Sequence, residues 1–407
     1  MRHFAQLLAV FLVSSVTALP INADWPQFRG VNASGLALDS NPPTTFTGET
    51  KTNIAWRVEA PGRGVGGPII VGDQVITTSS SGMDQRRIYI TSLSAKTGDV
   101  LWQQSLIARG RPFCHPTSAN AAPTPASDGK LVFAFYSSND LACVDLQGHL
   151  VWYRALAVDF PKAGNDVGMS ASPIVADGVV VVQIENQGDS FVAGLDAETG
   201  ELLWRKDRPK RANWSSPLGV KMADGRSIAV VQSSESLDGL DMRTGAVRWS
   251  LPMSCSSVPS SSTESGRLFV PSSGLTQIEL ASSDQPPKVG WNNSKLSANS
   301  ASPVIYNGGV YVVNRSVLVR GDAVSGELSW QLRLPDAGTI WSSPVIAGNR
   351  LYLFTDNGRC FVVELGDKEG KIIETNELGE PVFGSPAVAG DAIFVRSDSA
   401  IWKIEKS

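Results

Sequence analysis

The sequence predicts an all-β fold, a closed ring of eight four-stranded antiparallel sheets known as an eight-bladed β-propeller. Two phrases that alternate along the 407 residues predict it. One is "LDAETGELLW" (195–204), in which a strand ends, the chain turns at Gly200, and a strand carrying Trp204 begins. The other is "SASPIVADGVVVVQ" (170–183), a short apolar strand after a proline, a turn, and a β-branched strand. Together they describe one blade, with strands a and b in the second phrase and strands c and d in the first.

The turn between strands c and d is the most regular part of the repeat. Its Asp accepts hydrogen bonds from the turn, its Gly suits a left-handed backbone position, and the apolar residues that follow alternate as in a strand. Besides residues 195–204, the phrase recurs as "LSAKTGDVLW" (93–102), "LDMRTGAVRW" (240–249), "GDAVSGELSW" (321–330) and, more loosely, "VDLQGHLVW" (144–152).

Counting the prolines that precede strand a gives eight blades. Seven blades have Pro68, Pro125, Pro173, Pro217, Pro303, Pro344 and Pro386, and a degraded copy lies near "CSSVPS" (255–260). The eighth unit stops before its strand d, so we expect "TNIAWRVEA" (52–60) to supply that strand and to close the ring without exposed edges. Seven blades are the alternative if the degraded unit is an insertion.

A tryptophan recurs in strand d, where its ring is expected to fill the wedge between neighbouring blades. Such a ring buries roughly 150–250 Å². We assign this structural role to Trp56, Trp102, Trp152, Trp204, Trp249, Trp291 and Trp330. Their mean spacing of about 46 residues is near the ~40–45 of propeller blades. The seventh blade has Glu374 at this position, so we expect its seam to be the weakest.

The first 23 residues are typical of a secretory signal peptide. Arg2 precedes an apolar stretch from about Phe4 to Val16, which is shorter than the ~20 residues of a membrane-spanning helix. Cleavage is expected after Ala18 or Ala23, and a retained membrane anchor is the alternative. We therefore expect export to a periplasmic or extracellular space.

The rest of the chain is expected to form one domain. Residues 24–50 are predicted to be an N-terminal extension packed on the propeller, and residues 51–407 the propeller itself. The four cysteines are widely separated and include no C-x-x-C pair: Cys114, Cys143, Cys255 and Cys360. We expect them to be buried as small apolar residues, with one disulfide as the alternative.

The alternating phrases resemble the repeat of quinoprotein dehydrogenases, which use pyrroloquinoline quinone (PQQ). The resemblance covers about residues 50–405. In addition, "DWPQFRGVNASG" (24–35) and the segment 115–152 resemble secreted PQQ-binding-like propellers, which are similar to the propeller subunit of the outer-membrane protein assembly machinery. The resemblance implies a PQQ-like propeller. Quinoprotein alcohol dehydrogenases also carry two adjacent cysteines and a Glu, Asn and Asp set that holds calcium, whereas this sequence has no Cys-Cys pair.

No motif for other chemistry stands out. The sequence lacks G-x-S-x-G, H-E-x-x-H and a phosphate-binding glycine loop, and its net charge of −4 argues against nucleic acid. His115 and His149 are too few for a multi-histidine metal centre. Glu185 and Asp189 lack calcium-loop spacing, and we expect them in a solvated turn. We predict no catalytic residue, no metal site and no cofactor, with PQQ and calcium as the alternative.

A binding surface is expected where the d–a and b–c loops leave the ring, an end that we call the loop face. Three positions before each strand-a proline the sequence has Val65, Ala122, Ser170, Trp214, Ser300, Trp341 and Phe383. Trp214, Trp341 and Phe383 would form an aromatic rim around the channel mouth, either as a binding site or as a packed plug.

Two long basic loops flank this rim in the sequence. One is "IARGRPFCHPTSAN" (107–120), with Arg109, Arg111 and His115, and the other is "RKDRPKRANW" (205–214), with Arg205, Lys206, Arg208, Lys210 and Arg211. Together with the rim we select Arg109, Arg111, His115 and Arg211 as candidate binding residues. Their charge favours an anionic ligand, and solvated loops are the alternative.

The leading hypothesis is a secreted, non-catalytic propeller that binds a protein or peptide partner on its loop face. The partner could belong to an envelope complex, and the protein itself is expected to be a monomer. The alternative is a quinoprotein dehydrogenase that uses PQQ and calcium. Binding of extracellular polysaccharide by the aromatic rim is a third hypothesis, which the sequence does not separate from the first.

Overall fold

The computed structural model describes residues 25–112, 114–164, 167–280 and 285–406. It confirms the predicted all-β, eight-bladed propeller, since eight sheets each contain the four strands of one blade in antiparallel order. The predicted signal peptide lies outside the described residues. Within the described ranges no helix is long and apolar enough to span a membrane.

The blades are numbered in chain order, and in each one strand a lies at the central channel and strand d at the outer edge of the propeller. Blade 1 contains Ile69–Val71, Gln74–Ser81, Arg87–Ser94 and Val100–Ile107, and blade 2 contains Ala126–Ser127, Leu131–Phe135, Asp140–Asp145 and Leu150–Ala155. Blade 3 contains Ile174–Ala176, Val179–Ile184, Phe191–Asp196 and Leu202–Asp207, and blade 4 contains Leu218–Lys221, Ser227–Gln232, Ser236–Asp241 and Val247–Pro252. Blade 5 contains Ser262–Glu264, Arg267–Ser272, Gly274–Glu279 and Lys288–Asn293, and blade 6 contains Val304–Tyr306, Gly309–Asn314, Val317–Asp322 and Leu328–Arg333. Blade 7 contains Val345–Ala347, Arg350–Phe354, Arg359–Leu365 and Gly370–Glu377. Blade 8 contains Ala387–Ala389, Ala392–Arg396, Ala400–Ile404 and Ile54–Glu59.

The ring closes as predicted. Strand Ile54–Glu59 pairs antiparallel with Ala400–Ile404 and so provides strand d of the last blade. The seven-blade alternative is wrong, because the degraded unit forms a complete blade 5. Its strand a, Ser262–Glu264, begins three residues after Pro259, so Ser261 occupies the place of the proline in the other blades. A strand can therefore begin here without proline.

The hydrophobic core is divided among the seams between blades. In the seam between blades 2 and 3, for example, Phe133 and Leu141 pack with Val180 and Phe191, and all four are fully buried. Comparable clusters fill the other seams. Every blade thus depends on both neighbours for burial of its apolar residues.

The repeated tryptophan and the repeated glycine meet across these seams. Trp152 of blade 2 donates its indole N–H to the carbonyl oxygen of Ala197 in blade 3, at 2.9 Å. Gly200 of the same blade 3 turn has a φ of +73°, and a Cβ there would lie 2.6 Å from the Trp152 ring. The same pairing joins Trp204 to Gly245 and Trp102 to Gly148. The D-x-x-T-G phrase and the tryptophan are therefore two halves of one contact between successive blades.

The seam after blade 7 uses a different aromatic ring. Here Glu374 replaces tryptophan, and Phe46 from the N-terminal extension enters the core beside Phe354, with ring centroids 6.2 Å apart. Asn376 fixes this segment, since its side chain accepts the Phe46 N–H at 2.8 Å and donates to the Thr44 carbonyl oxygen at 2.8 Å. Phe46 thus fills space in the seam for which the sequence predicted the weakest packing.

The extension also crosses the central channel. Trp25 bridges to Ile70 in strand a of blade 1, and the Pro26 carbonyl oxygen accepts the Ser127 N–H from blade 2. Leu36–Ala37 then forms a short parallel strand with Val345–Ala347 of blade 7. Between these anchors Arg29 donates hydrogen bonds to Ser261, Ser262 and Pro303 of blades 5 and 6, so the extension runs from one side of the ring to the other. Short helical turns occur at Val31–Ala33, Met83–Gln85 and Leu156–Asp159.

All four cysteines are free thiols. Cys143, Cys255 and Cys360 are buried, and Cys114 is partly buried in a loop. Burial raises the pKa of the Cys143 thiol to about 12. The disulfide alternative is wrong for this structure, and the buried thiols act as small apolar core residues.

Candidate functional site

A cavity of about 470 Å³ opens on the loop face at the centre of the ring. It is built from two stacked rings of residues that the blades supply in register. The upper ring, three positions before strand a, contains Val65, Ala122, Ser170, Trp214, Val258, Ser300, Trp341 and Phe383. The lower ring, directly before the strand-a proline or its replacement, contains Gly67, Thr124, Ser172, Ser216, Ser260, Ser302, Ser343 and Ser385. Phe28 of the N-terminal extension also lines the cavity.

The lower ring is a continuous belt of hydrogen bonds, which we call the hydroxyl belt. In each case the backbone N–H of one blade donates to the side-chain hydroxyl oxygen of the next blade. The seven bonds measure 2.8–3.0 Å and run from Gly67 through Thr124 and the serines to Ser385. The Ser or Thr at this position in blades 2 to 8 therefore joins neighbouring blades, a role that the sequence analysis missed.

Gly67 is the one member of the belt without a hydroxyl. A Cβ at this position would lie 2.2 Å from the carbonyl oxygen of Ser385, so only glycine fits. This is the junction between blades 8 and 1, where the two ends of the propeller meet. At the junction between blades 8 and 1, close backbone packing of Gly67 against Ser385 therefore takes the place of the hydrogen bond that joins the other blades.

The aromatic residues predicted for the rim do come together above the belt. Trp214 is held by two hydrogen bonds, from its indole N–H to the Gly168 carbonyl oxygen at 2.8 Å and from its backbone N–H to Ser257 at 2.7 Å. Trp341 is 40% exposed, and Phe383 is partly exposed. These side chains line the cavity and leave it open, so they do not form the packed plug of the alternative.

His115 is the predicted loop residue that reaches the cavity. Its Nδ1 lies 2.8 Å from the Thr117 hydroxyl, and its backbone N–H donates to the Val167 carbonyl oxygen. Arg63 fixes this loop by donating to the carbonyl oxygens of Pro116 and Ser118 at 2.6 and 2.8 Å. Arg63 is a positioning residue that sequence analysis did not select.

The predicted arginines lie elsewhere. Arg109, Arg111 and Arg211 are exposed in the d–a loops and are not among the described residues that line the cavity. Arg208, which the sequence placed in the same basic flank, is buried. The expectation of a basic flank is therefore wrong for Arg208.

Arg208 lies between two buried carboxylates. Its Nε donates to Glu185 at 2.8 Å, and its Nη1 donates to Asp238. Glu185 was expected in a solvated turn, and this is wrong, since the residue is 1% exposed. Burial raises the pKa of Glu185 although Arg208 opposes the shift. Burial also acts to lower the pKa of Arg208, and the two carboxylates outweigh it and raise that pKa.

This buried network positions part of the rim. Asn213 donates to Glu185 Oε2 at 3.0 Å and to the Gln232 carbonyl oxygen at 2.7 Å. Trp214 follows directly in the chain. The network therefore links blades 3 and 4 beneath a residue of the cavity mouth.

A family model described as outer membrane protein assembly factor BamB matches residues 45–168, 86–269 and 314–407. The first two segments overlap, and together the three cover residues 45–269 and 314–407, well over half of the chain. The chain belongs to the BamB family. This confirms the resemblance predicted from the alternating phrases.

The curated relatives of this family member fall into two groups. BamB of Yersinia pestis is 25% identical over 310 residues, which are 70% of each chain. Polyvinylalcohol dehydrogenase of a Pseudomonas species is 26% identical over 278 residues, which are 56% of this chain and 41% of the relative. The chain thus spans less than half the length of the polyvinylalcohol dehydrogenases that it matches.

Solved structures show the same fold in both groups. BamB from Moraxella catarrhalis superposes with a TM-score of 0.65 at 16% identity, covering 86% of this chain and 97% of the other. A europium-containing methanol dehydrogenase superposes with a TM-score of 0.68 at 13% identity, covering 93% of this chain and 90% of the other. At these identities the likeness establishes the propeller fold.

The dehydrogenase resemblance implies PQQ and calcium, and the lining can be compared with what they require. Calcium takes about six to eight oxygen ligands, with carboxylates prominent among them. The described lining of the cavity supplies hydroxyl groups and no carboxylate. Nowhere in the described ranges do three or more His, Cys, Asp or Glu side chains form a group that could hold a metal ion. The described residues therefore do not fit a calcium-held quinone.

Proposed function

We propose that this protein is a non-catalytic binding module that holds a protein or peptide partner on its loop face. The observation that carries the proposal is the open cavity at which Trp214, Trp341 and Phe383 converge from three blades. Aromatic anchors near the centre of a contact surface supply much of the binding energy in protein complexes. The partly exposed Trp341 is placed to insert into such a partner.

The relatives support a role of this kind. Several are named as outer membrane protein assembly factors, and assembly requires contact with other proteins. We further propose that the protein is exported to the periplasm or beyond, on the basis of residues 1–23, and that it acts as a monomer. Under this proposal the blades serve as a rigid frame and the loop face as the contact surface.

The test is capture of partners from an envelope extract by purified protein. We expect the Trp214→Ala, Trp341→Ala double variant to lose most of the partner bound by the wild type, because each truncated anchor costs about 1–4 kcal/mol of binding free energy. Val324→Ala is the matched control, since Val324 is 72% exposed in the c–d turn of blade 6, away from the loop face. Equal partner recovery by the double variant and the wild type would contradict the proposal.

The second candidate function is a PQQ-dependent dehydrogenase, which the similarity to polyvinylalcohol dehydrogenases favours. Because the described lining offers no calcium ligands of the usual kind, we expect calcium to add no stabilisation in the presence of the quinone. The measurement is the melting temperature with PQQ alone, calcium alone and both, since a ligand that binds the native state raises this temperature. A further rise that requires both components would support the dehydrogenase instead.

A further inference from the structure

The hydroxyl belt has donors that the protein does not use. Each hydroxyl oxygen accepts one backbone N–H, and no acceptor for the hydroxyl hydrogen is found among the described residues. The Ser and Thr residues of the belt are only 2–7% exposed, yet all of them line the cavity. Because these hydroxyls line an open cavity, a group bound there can accept their hydrogens. The belt therefore presents several O–H groups that a bound acceptor would satisfy.

A buried positive charge lies close to this ring, since Arg29 lines a small adjoining pocket together with Ser172, Ser216 and Ser260 of the belt. The Arg29 guanidinium donates to the Ser261 carbonyl oxygen, the Ser262 hydroxyl and the Pro303 carbonyl oxygen. Arg29 is 1% exposed, burial is the one influence on its pKa, and no ion pair joins it to a carboxylate among the described residues. Its guanidinium carbon lies 6.0 Å from the centroid of the Phe28 ring, which lines the cavity.

The charge of Arg29 persists at neutral pH. Burial lowers its pKa to about 9, which leaves the guanidinium protonated. A cation that is buried without a counter-ion is costly, and an anion nearby would offset that cost. Arg29 thus adds a positive potential to a cavity whose lower wall is made of hydroxyl donors.

We propose that the cavity binds a carboxylate carried on an aromatic or apolar body, with the carboxylate on the hydroxyl belt and the body between Trp214, Trp341 and Phe383. This rests on the proposed function, because it names the chemistry that the same cavity recognises. One buried cation matches a single negative charge, and no Lys or Arg lines the described cavity to neutralise a phosphate dianion. The volume of about 470 Å³ is sufficient for a two-ring acid or the last residues of a peptide.

The carboxylate could belong to the end of a partner's chain or to a free small acid. The experiment uses the full chain, titration calorimetry and two matched pairs of probes. The first pair is 2-naphthoate and 2-naphthamide. The second is acetyl-Gly-Ala-Gly-Ala-Phe with a free terminal carboxylate and the same peptide with a terminal amide. Within each pair the shape is kept and the charge is removed.

We expect 2-naphthoate to bind at least about 10-fold more tightly than 2-naphthamide, a difference of about 1.4 kcal/mol, since hydrogen bonds to a charged group are stronger than those to a neutral one. Arg29→Met should abolish this preference while leaving the weaker binding of the amide unchanged. Arg226→Met is the control, because Arg226 lies in the exposed a–b turn of blade 4. The comparison of 2-naphthoate with 2-naphthamide uses the wild-type protein, so it tests the carboxylate site even if Arg29→Met fails to fold.

The arms have separate outcomes. If the acid peptide also binds more tightly than its amide and competes with 2-naphthoate, the site takes a chain terminus; if only 2-naphthoate shows the preference, the site takes small acids. Equal affinity within both pairs, or no binding by any probe, would overturn the carboxylate site. Partner capture through Trp214 and Trp341 is scored independently, so it can succeed when the carboxylate site fails.

Discussion

Arg208→Ala is expected to lower the free energy of unfolding by about 3–5 kcal/mol. The substitution leaves Glu185 and Asp238 buried on the neighbouring blades 3 and 4 without their shared counter-ion. Breaking a buried ion pair by removing one partner is costly because the remaining charge stays desolvated. The measurement is urea unfolding followed by tryptophan fluorescence, with the midpoint and slope compared with those of the wild type.

The control for this variant is an exposed pair of the same chemistry. Arg226 and Asp224 form an ion pair at 2.8 Å in which both side chains are substantially exposed. Exposed pairs contribute about 0–1 kcal/mol, so Arg226→Ala should have little effect. If Arg208→Ala were as mild as Arg226→Ala, the buried network would not be a structural link between blades 3 and 4.

Gly200→Ala is expected to destabilise the protein by about 2–5 kcal/mol, from two separate causes. A side chain at a left-handed φ costs about 1–2 kcal/mol. The added methyl group must also displace the Trp152 ring of the preceding blade, which would lie 2.6 Å away, and such overpacking costs about 1–3 kcal/mol. The measurement is again urea unfolding.

Gly178→Ala separates these two causes. Gly178 lies in the a–b turn of the same blade with a φ of +77°, and a Cβ there has no neighbour within 4 Å. It should therefore show the backbone cost alone. Equal losses for Gly178→Ala and Gly200→Ala would mean that the glycine of the D-x-x-T-G phrase serves its turn and not the seam.

The ring of blades was predictable because its determinants are local and repeated. The proline before strand a, the glycine of the c–d turn and the tryptophan of strand d each occur at a fixed place in the unit. The same register predicted the upper ring of the cavity, since residues at one repeat position lie at one height in a propeller. The Ser or Thr before the proline recurs in the same way, so the hydroxyl belt could also have been found from the sequence.

The features that were missed depend on contacts between distant parts of the chain. Arg29 bonds to Ser262, 233 residues away, and the extension that carries it shows no repeat. Arg208 and Arg211 look equivalent in one basic loop, but Asp238, 30 residues beyond Arg208, binds only the first of them among the described contacts. Charge and local pattern cannot distinguish a buried arginine from an exposed one when the partner lies on another blade.

Stability and binding are connected through this architecture. The seams hold the blades in register, and that register places Trp341 and Phe383 over the hydroxyl belt. The N-terminal extension crosses the channel, and its Phe28 lines the cavity. The proposed contact surface therefore sits on a rigid frame, which reduces the entropy lost when a partner binds.

Site-specific photo-crosslinking tests the proposed binding surface most directly. A benzophenone amino acid is placed at position 341 at the cavity mouth or at position 324 on the outer turn of blade 6, and each protein is irradiated in envelope extract. The account predicts a discrete protein adduct from position 341 that is absent from position 324 and is lost when excess unlabelled wild-type protein competes. The same adducts from both positions, or none from position 341, would contradict the assignment of the loop-face cavity as the binding surface.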